Sequence, residues 1–107
     1  MKAITLAKEE LHENILDRHP GLNGSEIVLV DGDFARQSIP YVAWNVWSLT
    51  PDGDVEWTVK GLPSGLPHDH FVSLYDHEGE LRVATWGGHH YRLNKTDGSV
   101  EHLFFGK

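Results

Sequence analysis

The order of apolar and polar positions changes character once along the chain, near Gly24. Before it, Ala7, Leu11 and Ile15 recur at four-residue spacing with Leu16 beside them, which is the stripe of one helical face. Thr5 is placed to cap such a helix, Glu9 and Glu10 suit its first turns, Arg18 and His19 its last, and Pro20-Gly21 stops it. The spacing predicts a helix over 5–18 that covers one side of a sheet. After Gly24, short apolar runs alternate with Gly, Asp and Pro, the pattern of antiparallel β structure. Strands are predicted at 26–30, 41–49, 55–60, 70–75, 81–86, 89–93 and 100–105. In 55–60, Val55, Trp57 and Val59 alternate with Glu56, Thr58 and Lys60, giving one apolar and one polar face. In 41–49 both faces are mostly apolar, so this is the expected central strand.

Three segments share one plan. Trp47 to Trp57, Val72 to Val83 and Tyr91 to His102 each read as strand, turn with an acid and a Gly (Gly53, Gly79, Gly98), then strand. Successive hairpins of this kind make a meander. A propeller is excluded by length, because four blades of about 40 residues exceed the chain. The stretch Gly61-Leu-Pro-Ser-Gly-Leu-Pro67 holds two Pro and two Gly, which cannot sit inside a sheet, so it is expected as a loop between hairpins. The expected architecture is α+β and mainly β. One N-terminal helix packs on an antiparallel meander of six or seven strands, as a sheet or a partly open barrel, in a single domain over 1–107.

Composition narrows the chemistry. With 107 residues, 39% hydrophobic and 23% charged, the chain has the make-up of a folded domain. The absence of Cys removes disulfide scaffolds, thiolate metal sites and cysteine nucleophiles. The formal net charge is -7, and residues 26–80 hold ten acids against Arg36 and Lys60 alone. A chain this acidic is a poor partner for nucleic acid or an anionic membrane surface, and it suits a basic protein whose approach it would steer. The N-terminus has no apolar run of signal-peptide type, since Lys8, Glu9 and Glu10 interrupt it, so a soluble, cytoplasmic protein is expected.

Six of the eight His lie between His68 and His102. His68 and His70, two apart, would share a strand face, and His77 or His89-His90 could join them, so His68, His70 and His89 are the candidate metal ligands. The Gly-rich lead into His-x-His resembles the cupin motif but departs from it at the Glu ligand: Leu74 and Tyr75 stand in its place. None of the six Ser lies in a Gly-x-Ser-x-Gly elbow. The acid pairs Asp31/Asp33, Asp52/Asp54 and Glu78/Glu80 fit turn chemistry better than a glycosidase cleft. Trp44, Trp47, Trp57 and Trp86 suit a buried core, with a sugar-stacking platform as the alternative.

The tail from Trp86-Gly-Gly-His-His-Tyr91 through Leu93-Asn-Lys-Thr-Asp-Gly98 to Lys107 resembles an ending found among small bacterial immunity proteins of polymorphic and contact-dependent toxin systems. That resemblance implies a non-catalytic inhibitor, without cofactor, that occludes the active site of a cognate basic toxin such as a nuclease. On this reading Asp31, Asp33, Asp52, Asp54 and Glu56 are the expected docking acids, with Tyr41 or Trp57 as exposed anchors. The alternatives are a metal protein or metal-dependent enzyme built on the His cluster, and a small-ligand or sugar-binding β module.

Overall fold

A computed structural model describes residues 8–38, 45–60 and 70–106. Its elements are a short helix α1 (Lys8–Glu13), strands β1 (Ile15–Pro20) and β2 (Glu26–Val30), a second helix α2 (Gly32–Ser38), and strands β3 (Val46–Leu49), β4 (Val55–Thr58), β5 (Phe71–His77), β6 (Glu80–Thr85), β7 (His89–Leu93) and β8 (Val100–Phe105). They form two four-stranded antiparallel sheets, β1-β2-β3-β4 and β5-β6-β7-β8, each in sequential order. The expectation of one sheet of six or seven strands is therefore corrected to two sheets, which do not close into a barrel.

Sheet packing follows from side-chain alternation. Every apolar residue of β2 is buried, and successive residues belong to different layers. Ile27 and Leu29 join Val46, Trp57 and Val59 against Phe71, Leu74, Leu81, Val83, Tyr91 and Leu93 of the second sheet. Val28 and Val30 face the other way with Trp47 and Leu49, where Leu11 of α1 and Ala35 of α2 cover them. The first sheet is thus the middle layer, between helices and the second sheet. This explains why its two inner strands, β2 and β3, read as nearly continuous apolar runs, and β3 is buried throughout as expected of a central strand.

Three local outcomes differ from the sequence reading. The predicted helix over 5–18 is described only from Lys8 and ends at Glu13, and residues 15–20 pair with β2 instead. The Asn14 amide side chain donates to the Glu10 carbonyl at 2.8 Å and its backbone N–H to the Leu11 carbonyl, closing the helix well before residue 18. Sheet pairing then overrides helical spacing in Ile15 and Leu16. Asp31 and Asp33, which fit turn chemistry in the sequence, instead cap and open α2 (Gly32–Ser38): the Asp31 carboxylate accepts from the Phe34 N–H at 3.1 Å. Finally, Val55, Trp57 and Val59 do not share one face. A register shift between Ser48 and Leu49 makes Glu56 an extra residue, so Val55 turns to the helix side while Trp57 and Val59 enter the inter-sheet core.

The three anticipated hairpins are β3–β4, β5–β6 and β7–β8. In β5–β6, both Glu78 (φ 53) and Gly79 (φ 83) adopt positive φ, the geometry of a two-residue turn whose twist matches its strands. Strands 26–30, 89–93 and 100–105 begin and end where the sequence places them.

Candidate functional site

The first residue of β5, the β6–β7 turn and the last residues of β8 all lie at one end of the second sheet, because Phe71 pairs with Thr85 and His89 with Phe105. The backbone ties this end together. The Trp86 N–H donates to His70 O at 3.0 Å, and the Gly106 N–H donates to Gly88 O at 2.8 Å. The turn itself is closed by Gly88 N–H on Thr85 O, and by the Thr85 hydroxyl, which accepts from the His89 N–H at 3.2 Å. On this rigid frame stand four large apolar side chains in water: Trp86 at 70% exposure, Phe105 at 64%, Val72 at 46% and Phe104 at 44%. Scattered apolar residues are ordinary on a surface, whereas four at one end of a sheet, with Phe104 on one face and Phe105 on the other, make an exposed apolar edge suited to contact.

Two histidine arrangements hold this edge in shape. His90 Nε2 lies 3.0 Å from Gly106 O, which can only accept, so in the neutral ring Nε2 carries the proton. His90 Nδ1 is then free to accept from the Tyr75 hydroxyl at 2.7 Å. The fixed imidazole stacks on Phe104 with centroids 4.3 Å apart and planes at 14°. On the opposite face, His89 Nδ1 meets His102 Nε2 at 3.1 Å, and the Phe105 ring centroid is 5.0 Å from that of His89. Phe104 and Phe105 are therefore held by neighbours, which limits the entropy lost when a partner binds.

An acidic rim borders this end. The ring of His70 lies over Gly32, where an added Cβ would come within 3.2 Å of it. Asp31 and Asp33 flank that glycine, so the start of α2, His70 and Trp86 follow one another in space. Asp52, Asp54 and Glu56 are elsewhere. They sit on the β3–β4 hairpin, at the end of the first sheet where Glu26 pairs with Leu49, opposite to Val30 and Asp31. Glu56 is held there by the hydroxyls of Ser25 at 3.1 Å and Ser48 at 3.4 Å. Among the described residues the central acids thus do not form one continuous face. Trp57, expected as an exposed anchor, is buried against Gly98 in the core, and Tyr41 lies outside the described residues. Trp86, Phe104, Phe105 and Val72 were not among the expected contact residues. Their signal in the sequence is the Trp-Gly-Gly turn and the paired Phe at the end of an edge strand.

The remaining chemistry is dispersed. His68 lies outside the described residues, His70 packs on Gly32, and His89 pairs with His102. Among the described residues no group of three or more His, Asp or Glu gathers in metal-binding geometry. A concavity of about 290 Å³ lies between α1, β1 and the β3–β4 turn, with Leu11, Ile15 and Leu49 beside His12, Arg18 and Glu26. Its guanidinium is already engaged, with Arg18 on Glu26 and on His12 Nδ1 at 2.8 Å. The second sheet carries an ion ladder. Glu80 meets Arg82 at 2.8 Å and Arg92 at 2.6 Å, and Arg92 reaches Glu101 at 3.7 Å. The hydrogen bond from Arg82, helped by Arg92, holds the Glu80 carboxyl below the usual glutamate range.

A family model described as Domain of unknown function (DUF7957) matches residues 10–105, nearly the whole chain and all eight strands. The chain belongs to the DUF7957 family. No curated protein and no solved structure matches it. In this DUF7957 chain no helix among the described residues is long and apolar enough to cross a membrane.

Proposed function

We propose that this DUF7957 chain is a non-catalytic binding domain that docks a basic protein through the aromatic end of the second sheet, acting as an immunity protein that covers the active site of a cognate toxin. The observation that carries the reading is the exposed group Val72, Trp86, Phe104 and Phe105, beside the acids Asp31 and Asp33. Apolar anchors ringed by charge are the usual anatomy of a protein interface, with aromatic side chains supplying most of its energy. The net charge of -7 adds long-range attraction for a basic partner and speeds encounter. The tail that resembles immunity proteins is the segment that carries Trp86, Phe104 and Phe105.

The test is co-expression with the products of the neighbouring genes, followed by calorimetric titration of any complex. Trp86→Ser with Phe105→Ser is expected to weaken such a complex by roughly 100-fold or more while leaving the fold intact. A complex indifferent to both substitutions excludes this surface. A sugar ligand stacking on Trp86 is the competing reading; quenching of Trp fluorescence by oligosaccharides, abolished by Trp86→Ser, would favour it over a protein partner.

A further inference from the structure

His89 and His102 stand on adjacent strands at the edge of the second sheet, where the β7–β8 register, pairing His89 with Phe105 and Tyr91 with His102, makes them diagonal neighbours. Their ring nitrogens Nδ1 and Nε2 are 3.1 Å apart, with ring centroids at 5.3 Å and planes at 57°. The ring of Tyr91 meets that of His102 edge-on at 5.2 Å, and Phe105 borders His89 at 5.0 Å, so both imidazoles are braced. The two rings are thus at hydrogen-bond distance, with His102 exposed and His89 half-buried, so the pair is reachable from solvent. Imidazole nitrogens bind zinc at about 2.0–2.1 Å, so a nitrogen separation near 3 Å is what two ligands of one ion subtend, at an angle of roughly 100°.

We propose that His89 Nδ1 and His102 Nε2 form a binding site for one divalent late transition-metal ion, reached by a small swing of each ring. No third His, Asp or Glu converges on the pair among the described residues, so the ion keeps its other positions for water or an outside ligand. Two imidazole donors and no carboxylate favour copper, nickel or zinc over magnesium or calcium. Of the three ligands expected from the sequence, His89 belongs to this pair, His70 packs on Gly32 and is not part of it, and His68 lies outside the described residues. The site does not depend on the docking reading, because it needs no protein partner.

The experiment is titration of tag-free protein with Zn²⁺ and Cu²⁺ alone, read by calorimetry and by the electron paramagnetic resonance of the copper form. One equivalent is expected to bind, with copper showing coupling to two nitrogens and Mg²⁺ not competing. His89→Gln and His102→Gln should each weaken binding about tenfold or more, as loss of a direct ligand exceeds the loss of outer-shell support. His77→Gln, at the far end of the sheet, should leave affinity unchanged; circular dichroism of each metal-free variant shows whether it is folded. Absence of binding, or binding that survives both substitutions or is lost with His77→Gln, overturns the site.

Discussion

The side chain of Asn45 pairs with the backbone of Phe71 as a neighbouring strand would. Asn45 Oδ1 accepts from the Phe71 N–H at 2.9 Å, and Asn45 Nδ2 donates to the Phe71 carbonyl at 2.7 Å and to that of Val30 at 2.8 Å. One buried amide thereby fastens the first sheet to the start of the second and satisfies three backbone groups that the sandwich would otherwise strand.

Removing that amide is expected to be costly. Asn45→Ala leaves the Phe71 N–H and two carbonyls without their partner in the core, and should lower stability by roughly 2–4 kcal/mol. Urea unfolding monitored by Trp fluorescence measures it. A loss below about 0.5 kcal/mol, the scale of a surface change, would mean the bridge is not needed.

Gly98 and Gly79 separate two reasons for glycine. Both have positive φ, 80 and 83. A Cβ on Gly98 would lie 2.5 Å from the Trp57 ring and 2.9 Å from the Thr58 carbonyl, while nothing stands within 4 Å of one on Gly79. Gly79→Ala should therefore cost about 1 kcal/mol of backbone strain alone. Gly98→Ala adds overpacking of the core and should cost roughly 2–4 kcal/mol. Equal shifts in melting temperature would contradict the Trp57–Gly98 contact.

How far the sequence is legible can be judged from particular residues. The hairpins were readable because Gly53, Gly79 and Gly98 mark turns that few other residues allow, and β2, β7 and β8 begin and end where the pattern places them. Ile15 and Leu16 misled because four-residue spacing looks the same whether the chain stays helical or bends at Asn14 to join a sheet. The division into two sheets falls between β4 and β5, around the Gly- and Pro-rich stretch 61–67, but a loop there suits one meander as well as two sheets. The outcome depends on Asn45, and on which face Trp57 takes once the bulge at Glu56 shifts the register. The candidate surface was hidden for a related reason: tryptophan in β structure is commonly buried, as Trp57 is, and the Gly-Gly turn after Trp86 is the local sign that this one is exposed.

The Glu80 ladder gives a pH dependence with a definite sign. Its carboxyl titrates lower in the folded chain than when unfolded, because Arg82 and Arg92 favour the charged form. The group therefore contributes stability above the ordinary glutamate range, and this contribution is lost as pH falls through the depressed folded value. Wild type should be more stable than Glu80→Gln near neutrality, with the gap closing below about pH 4. Paired urea titrations at neutral pH and near pH 3 check it; a gap that widens in acid would reverse the assignment.

The most direct test of the account as a whole compares two exposed apolar sites. Trp86→Ser combined with Phe105→Ser, and Leu22→Ser as a control on the loop between β1 and β2, are titrated calorimetrically against a protein partner encoded beside this chain. All variants are expected to melt near the wild type, the double variant to lose roughly 100-fold or more in affinity, and the control to bind unchanged. Wild-type affinity in the double variant, or an equal loss in the control, would contradict it.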